Sequence, residues 1–192
     1  MNLLVLGPQG AGKGTQAKRI SDEYGIPHVS TGDMFRALDT DTDLGRRVKA
    51  IMDAGDLVPD EVTVAMIEDR LSEPDAAAGF VLDGFPRNLA QAEALDAMLT
   101  GIGRGLDAIL FFDVADDVGT ERALRRAKLE GRSDDTPETI SRRLAVYHEQ
   151  TEPIVEHYRL TGKLVPLHAD RSVEEVWTEI QAVVQMLAGD PA

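Results

Sequence analysis

One N-terminal segment restricts the possible folds of this chain more than any other: a short apolar run followed at once by a glycine-rich loop. The run, Asn2–Leu6, has the length and the apolar character of a buried strand. The loop GPQGAGKGTQ, at 7–16, places Gly12 and Lys13 as the phosphate-loop pattern G-x-x-x-x-G-K-[ST] requires. A helical pattern follows at 15–24, so strand, loop and helix stand in the order in which such loops bind nucleoside phosphates.

The loop departs from this pattern at one position, because Gly14 follows the lysine and the hydroxyl residue, Thr15, comes one step later. An ordinary glycine-rich turn between a strand and a helix is the simpler interpretation. A lysine among glycines whose N–H groups can converge on phosphate oxygens favours a nucleoside triphosphate site instead. Without a hydroxyl at position 14, we expect no direct coordination of magnesium by the loop, so the ion depends on the nucleotides, on water and on acids elsewhere.

Apolar runs of strand length recur along the chain, separated by longer stretches with helical periodicity. This alternation predicts parallel βαβ units and an α/β fold whose sheet is covered on both faces. The runs after the first are 27–30, Phe80–Asp83, 108–114 and Leu164–His168. Between them, two charged or polar segments, 31–59 and 122–135, have little strand signal and are expected to form mobile flaps at the edge of the sheet.

Two helices have clear boundaries in the sequence. One follows Thr136-Pro137, a cap with proline in the first turn, and is expected to kink or break near Pro153. The other is the last helix, which follows Ser172, with Glu175 three residues later as a capping box. Its spacing predicts an inward apolar face made of Val173, Val176, Trp177, Ile180, Val183, Val184 and Leu187.

Composition excludes several classes of protein. With 192 residues, 43% of them hydrophobic, the chain suits one domain with a sizeable core. A net charge of −14 disfavours a nucleic-acid partner, although a nucleotide needs only a local cluster of cations. The absence of cysteine argues against disulfides and thiolate metal sites, so no structural zinc is expected. With neither a leader nor a membrane-length apolar segment, we expect no membrane partner and a cytoplasmic location, and we expect a monomer.

Arginines cluster in one part of this acidic chain, at Arg122, Arg126, Arg132 and Arg143. A single surface arginine is usually only a solvated charge. A cluster that flanks Gly131 is more informative, because phosphoryl transfer needs cations that position and neutralise the migrating group. Arg122 and Arg126 lie four residues apart, so they share one face if this segment is helical.

Two acids follow predicted strands and are candidates for binding magnesium. Asp83 ends the run Phe80–Asp83, which is the position of a Walker-B-type acid that holds the ion directly or through water. Asp33 follows the run 27–30. The four histidines have neither metal-ligand spacing nor a nucleophile partner, so no chemistry is assigned to them.

Several motifs occur in an order that is typical of one family. They are the phosphate loop with Gly-Thr after its lysine, Ser30-Thr31-Gly32-Asp33-Met34-Phe35-Arg36, Gly55-Asp56-Leu57-Val58-Pro59, Leu82-Asp83-Gly84-Phe85-Pro86-Arg87 with Gln91, Gly131-Arg132-Ser133-Asp134-Asp135-Thr136, and Arg142-Arg143-Leu144. With them the chain resembles the adenylate kinase family over nearly its whole length. The resemblance implies a single domain, 1–192, with a three-layer P-loop NTPase fold and a five-stranded parallel sheet. It divides the domain into a core of 1–29, 60–121 and 136–192, a helical flap for the nucleoside monophosphate at 30–59, and a short lid at 122–135.

The resemblance also implies roles for individual residues. The catalytic set is Lys13, Arg87, Arg122, Arg126, Arg132 and Arg143. ATP is expected to contact Gly10, Ala11, Gly12, Lys13, Gly14, Thr15, Arg126 and Arg171. AMP is expected to contact Thr31, Arg36, Asp56, Leu57, Val58, Gly84, Phe85, Pro86, Arg87, Gln91, Arg132 and Arg143. Asp33 and Asp83 are expected to order the water shell of Mg²⁺.

The implied reaction is the reversible, Mg²⁺-dependent transfer of the terminal phosphoryl group of ATP to AMP, giving two ADP. Gln91 supports AMP, because an amide can pair with a ring nitrogen and the amino group of adenine, and Thr31 agrees with that choice. Two alternatives stay open: a UMP/CMP kinase of the same fold and a P-loop ATP-binding regulatory protein. The short spacing between Arg126 and Arg132 indicates a lid without a zinc-bearing insertion.

Overall fold

A computed structural model of the protein describes residues 1–130 and 135–189. Within these residues, five strands form one parallel sheet in the order β2-β3-β1-β4-β5. The predicted α/β fold with a five-stranded parallel sheet is therefore confirmed. The strands are β1 Asn2–Leu6, β2 His28–Ser30, β3 Phe80–Asp83, β4 Ala108–Asp113 and β5 Leu164–His168.

Helices cover both faces of this sheet, as the nearly continuous apolar character of the strands predicts. The α-helices of the described residues are α1 Lys13–Tyr24, α2 Thr31–Arg36, α3 Asp43–Ala54, α4 Asp60–Leu71, α5 Leu89–Gly101, α6 Asp116–Glu130, α7 Pro137–Val146, α8 Glu152–Arg159 and α9 Val173–Ala188. A 3₁₀ turn occupies Pro74–Ala76, and a π-helical turn, Tyr147–Thr151, joins α7 to α8.

The alternation of side chains along β1 divides the core into two clusters. Leu3 and Val5 face α1 and α9, where they join a cluster that contains Trp177. Leu4 and Leu6 face the opposite side and join a cluster built with α4, α5 and α8. Full burial of a leucine contributes roughly 1.5–3 kcal/mol, so this central strand anchors both layers.

The helix boundaries follow the local signals closely. Ser172 and Glu175 form the predicted capping box at the start of α9, and Thr136 caps α7 with Pro137 in its first turn. The expected irregularity near Pro153 is the π-helical turn just before it.

One expectation for α9 is wrong at its two ends. Val176, Trp177, Ile180, Val183 and Val184 are buried as predicted, but the terminal members of the proposed apolar face, Val173 and Leu187, are 50% and 41% exposed. At the N-terminal end, α1 contacts the backbone and not the side chain of Val173, since Gln16 Nε2 donates 2.8 Å to the Val173 carbonyl.

The segments predicted as flap and lid both contain helices in the described residues. The flap, 30–59, contains α2 and α3. Position 122, the predicted start of the lid, lies within α6, which continues unbroken from Asp116 to Glu130. The division into core, flap and lid stays a prediction. None of the helices in the described part of the chain combines the length and the apolarity needed to cross a membrane.

The parallel arrangement places the carboxyl ends of all five strands at one edge of the sheet. The glycine-rich loop follows β1, α2 follows β2, and Asp83 is the last residue of β3. Ligands of open α/β sheets bind outside the carboxyl ends of the strands, so this edge is the place to look for a site.

Candidate active site

A large cavity of about 970 Å³ lies at this edge of the sheet, between the glycine-rich loop, the flap, α6 and α7. The predicted site residues that line it are Gly10, Ala11, Gly12, Lys13, Gly14, Thr15, Asp33, Arg36, Asp56, Leu57, Val58, Asp83, Gly84, Pro86, Arg87, Gln91, Arg122, Arg126, Arg143 and Arg171. The fold thus brings together in one cleft groups that are up to 161 positions apart, from Gly10 to Arg171.

Three predicted residues are not among those that line the cavity. Thr31 is buried, and its hydroxyl donates a hydrogen bond of 2.8 Å to the carbonyl of Gly84. Phe85 is only 1% exposed and packs in the core cluster on the α5 side of the sheet. Arg132 lies outside the described residues.

Lys13 is held in the loop by the loop's own carbonyl groups. Its Nζ donates to the carbonyls of Gly7 and Pro8, each at 2.7 Å. Burial lowers the pKa of Lys13 to about 8; the carboxylate of Asp83 opposes this shift, whereas Arg87 adds to it. A buried ammonium with neutral acceptors is well placed to bind an anion, because phosphate oxygens stabilise its charge better than carbonyls do.

Gly10 allows the loop to approach α6 closely. Its φ is +80°, and a Cβ at this position would lie 1.9 Å from the carbonyl oxygen of Gly119. Gly119 in turn faces the carbonyl of Gln9, which a Cβ would approach to 2.8 Å. These two glycines permit backbone-to-backbone contact between the loop and the helix that carries Arg122 and Arg126.

Asp83 lies beside Lys13 at the floor of the cavity. His28 Nε2 is 3.5 Å from Asp83 Oδ2. Burial alone would raise the pKa of Asp83, but the neighbouring His28 and Lys13 outweigh it, so the pKa of this carboxyl is lowered and the group is ionised at neutral pH. A Cβ at Gly14 would lie 3.5 Å from Asp83 Oδ2. The position where the general pattern has a hydroxyl residue is therefore in direct contact with Asp83.

Asp33, the second predicted metal-site acid, has a different environment. Its side chain is 64% exposed at the start of α2 and accepts a hydrogen bond of 2.6 Å from Arg36. Both acids line the same cavity. An ionised buried carboxylate and an exposed one on adjacent strand ends suit a hydrated Mg²⁺, which keeps several of its waters.

Arg87 is a partly buried arginine at the end of the segment that follows β3. Its Nε donates 2.7 Å to the carbonyl of Gly84, the same oxygen that accepts the hydroxyl of Thr31. Burial lowers the pKa of Arg87, and the positive charges of Arg143 and Arg36 lower it further against the opposing effect of Asp83. Cations that destabilise one another in this way form a site for a polyanion.

Arg126 and Arg143 are held together by one buried carboxylate. Arg126 donates through Nε and Nη2 to Asp135 Oδ2, at 3.1 and 2.6 Å. Arg143 donates to Asp135 Oδ1 at 2.7 Å and, through Nη2, to the carbonyl of Met52 at 3.1 Å. The side chain of Asp135 has no exposed surface. It therefore fixes two predicted catalytic arginines, one on α6 and one on α7, in a single arrangement.

Arg122 is bound to backbone rather than to an acid. Its guanidinium donates to the carbonyl of Ala169 and, at 2.9 and 3.3 Å, to those of Asp170 and Arg171. It thus ties α6 to the loop after β5. Arg171 itself is 48% exposed and donates 2.9 Å to Glu179 on α9, so its side chain is directed along that helix.

The flap is bonded to α7 at its C-terminal end. Thr139 Oγ1 donates 3.0 Å to the carbonyl of Asp53, and Arg142 Nε donates 2.8 Å to Asp56. The side chain of Asp56 is thus engaged away from the predicted nucleotide contact, which concerns its backbone. These bonds place Leu57 and Val58 at the wall of the cavity.

Gln91, which is predicted to pair with adenine, is 2% exposed and lines the cavity. Both ends of its amide already have partners. Oε1 accepts 2.8 Å from the backbone N–H of Arg87, and Nε2 donates 2.7 Å to Asp60.

Sequence reasoning missed three residues that contact the predicted site residues. His28 was assigned no chemistry, yet it stands beside Asp83; the adjacency of their strands was the available signal. Asp135 belongs to a motif that was noted only for its arginine. Thr151, whose hydroxyl donates 2.8 Å to the carbonyl of Arg87, belongs to the π-helical turn before Pro153, where the sequence predicted an irregularity but no role for this threonine.

Comparison with known proteins gives a consistent result. Residues 5–163 match the sequence family described as adenylate kinase. The adenylate kinase of Thermobifida fusca (strain YX) is 52% identical over 92% of this chain and 94% of its own length. That of Stenotrophomonas maltophilia (strain K279a) is 47% identical over 96% of this chain and 100% of its own. That of Archaeoglobus fulgidus is 42% identical over 97% and 99%.

Proposed function

Because the chain belongs to the adenylate kinase family, we propose that its cleft binds ATP at the glycine-rich loop and AMP on the flap side, and joins them by phosphoryl transfer to give two ADP. The enzyme class, a nucleoside monophosphate kinase, follows from the family; the assignment of residues is the proposal. One observation carries it. Burial and the positive charges of neighbouring arginines lower the pKa of both Lys13 and Arg87 inside a single cavity, and a bound polyanion would stabilise these charges.

ATP binding is assigned to the loop from Gly10 to Thr15 and to Arg126. The backbone N–H groups at the start of α1 face the phosphates, and the helix dipole favours their charge. Phosphate oxygens replace the carbonyls of Gly7 and Pro8 as acceptors for Lys13. Arg122 holds the carbonyls of 169–171, so the predicted contact of Arg171 with ATP runs through a loop that Arg122 positions.

AMP binding is assigned to the flap side of the cavity, with Arg87 between it and the ATP site. Its phosphate would lie between Arg36, Arg87 and Arg143, whose charges already act on one another. Leu57, Val58 and Gln91 form the wall for the base. Thr31 supports this side indirectly, since its hydroxyl and Arg87 bind the same carbonyl, that of Gly84. Arg132 is kept as a proposed bridge between the two nucleotides.

Transfer needs no general base, because the phosphate of AMP already presents ionised oxygens as nucleophiles. The protein has to align the two nucleotides and neutralise the charge that spreads over the migrating group. Lys13, Arg87, Arg126 and Arg143 supply that charge. Removing one such cation is expected to lower kcat by about 10³-fold.

Magnesium fits the acids that the cavity presents. When bound with ATP it supplies charge neutralisation and a template for the phosphates. Asp83, kept ionised, and Asp33 would hold its water shell. Since Gly14 has no side chain, the loop offers no hydroxyl ligand beside Asp83.

Water competes with AMP as a nucleophile, so the closed cleft has to exclude it. We assign this to movement of the flap, 30–59, and the lid, 122–135, over the core, with opening for product release as a step that can limit turnover. The cytoplasmic location and the monomeric state stay predictions, and sedimentation of the purified protein would test the second.

The test is an assay of the purified protein with MgATP and each of AMP, UMP, CMP and GMP, in which the diphosphates formed are quantified. We expect ADP to form in proportion to AMP, two per AMP consumed, with the other monophosphates far behind. Preference for UMP or CMP would favour the pyrimidine kinase alternative instead. ADP that appears without dependence on any monophosphate would contradict the proposed function.

A further inference from the structure

We propose that Asp60 is a positioning residue that fixes the orientation of the Gln91 amide and thereby favours adenine over other purines in the monophosphate site. The inference rests on the proposed function, because it takes Gln91 to contact the base. Gln91 lines the cavity, whereas Asp60 is not among the described residues that do. Asp60 therefore stands behind Gln91 and can act on the nucleotide only through it.

The partners of the Gln91 amide assign its two ends without ambiguity. Nε2 lies 2.7 Å from Asp60 Oδ1, and Oε1 lies 2.8 Å from the backbone nitrogen of Arg87. A carboxylate only accepts hydrogen bonds and a backbone N–H only donates them. An amide turned by half a rotation would set oxygen against carboxylate and NH₂ against N–H, so both bonds would be lost.

Asp60 is itself held in place. Asn88 Nδ2 donates to its two carboxylate oxygens, at 2.9 and 3.2 Å. Asn88 also caps α5, where its Oδ1 accepts 2.9 Å from the backbone N–H of Gln91. Asp60 lies in the first turn of α4, where the helix dipole favours a negative charge. The starts of α4 and α5 are therefore joined by one network that ends on Gln91.

This network leaves the amide of Gln91 with one N–H of Nε2 and one lone pair of Oε1 for a ligand. A donor beside an acceptor complements a ring nitrogen next to the amino group of adenine. A 6-oxopurine such as hypoxanthine presents a carbonyl where adenine has the amino group, so Oε1 would face another acceptor. Asp60 opposes the rotation of the amide that would relieve this repulsion.

The experiment compares Asp60→Ala with Glu61→Ala in the complete enzyme. Glu61 is an exposed acid in the same first turn of α4, so its removal takes away a similar charge from the helix without touching Gln91. Steady-state kcat and KM are measured for AMP and IMP with MgATP, and for ATP with saturating AMP. For Asp60→Ala we expect KM for AMP to rise about tenfold and KM for ATP to change less than about twofold. The ratio of kcat/KM for AMP to that for IMP should fall by about tenfold.

Asp60→Asn keeps the shape of the side chain and one accepting oxygen, so its AMP kinetics should lie between those of wild type and Asp60→Ala. It also provides the measurement if the alanine variant does not fold. In the double variant Asp60→Ala/Gln91→Ala, KM for AMP should equal that of Gln91→Ala alone, because Asp60 acts through Gln91.

With an active wild type, the inference is overturned if Asp60→Ala, or Asp60→Asn if it alone folds, behaves like Glu61→Ala. It is also overturned if the losses multiply in the double variant. A wild type that makes no ADP from AMP would instead overturn the proposed function and this inference with it. Equal effects on KM for AMP and ATP would indicate a general structural role and also reject the inference.

Discussion

Lys13 is the residue whose state should report most directly on nucleotide binding. Its pKa is about 8 in the nucleotide-free protein, lowered mainly by burial. Bound phosphates raise this pKa, because a negative charge favours the ammonium form. At pH 8 about half of the lysine is neutral before binding, so ATP binding should take up about half a proton.

Isothermal titration calorimetry at pH 8 in buffers of different ionisation enthalpy measures this uptake as the slope of the observed heat. The uptake should grow as the pH rises from 7 to 9, since more of the free protein has lost the proton. Lys13→Arg should show no uptake in this range, because arginine keeps its proton. Heats that are independent of the buffer in wild type would contradict the assigned pKa.

The interaction of Lys13 with Asp83 leads to a second prediction. Its negative charge raises the pKa of Lys13. Asp83→Asn should therefore lower the pKa of Lys13 further and move the proton-uptake profile to lower pH. An unchanged profile would mean that the two groups do not interact.

At the scale of secondary-structure elements, Asp135 is the connection between α6 and α7, since it holds both Arg126 and Arg143. Asp135→Asn removes the charge that compensates two partly buried guanidinium groups. Breaking a buried ion pair costs about 3–5 kcal/mol, so we expect the free energy of unfolding to fall by about 3 kcal/mol. Urea unfolding at pH 7 measures this difference.

The control for this variant is Asp53→Asn. Asp53 pairs with Lys49 on the surface of α3, where both side chains are largely exposed, at 43% and 52%. Exposed pairs contribute about 0–1 kcal/mol, so stability should hardly change. If both variants lose the same free energy of unfolding, the burial of Asp135 is not the cause of its contribution to stability.

At the scale of the whole molecule, the net charge of −14 is the dominant electrostatic property. Like charges repel one another in the compact state, and salt screens that repulsion over about 10 Å at 0.1 M. The midpoint of thermal unfolding at pH 7 should therefore rise as NaCl is added from 0.02 to 0.5 M, by about 2–4 °C for each kcal/mol of repulsion removed. A fall over the same range would show that the screened surface ion pairs outweigh the repulsion.

The sequence by itself determined the elements and the family. Strand runs such as Asn2–Leu6, the capping box of Ser172 and the glycine-rich loop act over a few neighbouring residues, so their patterns can be read without the fold. The parallel sheet follows from the alternation of these elements. Motifs in a fixed order likewise predicted the function of the family, whereas the roles of their individual residues stay predictions.

Only the tertiary structure decided which of these residues face one another. Arg122 binds the carbonyls at 169–171, Gln91 is oriented by Asp60, and the side chains at the two ends of α9 are partly exposed. Each outcome depends on contacts between segments far apart in the chain, where direction and distance are set by packing. Local patterns carry no information on such distances, since burial and charge act through space and not along the sequence.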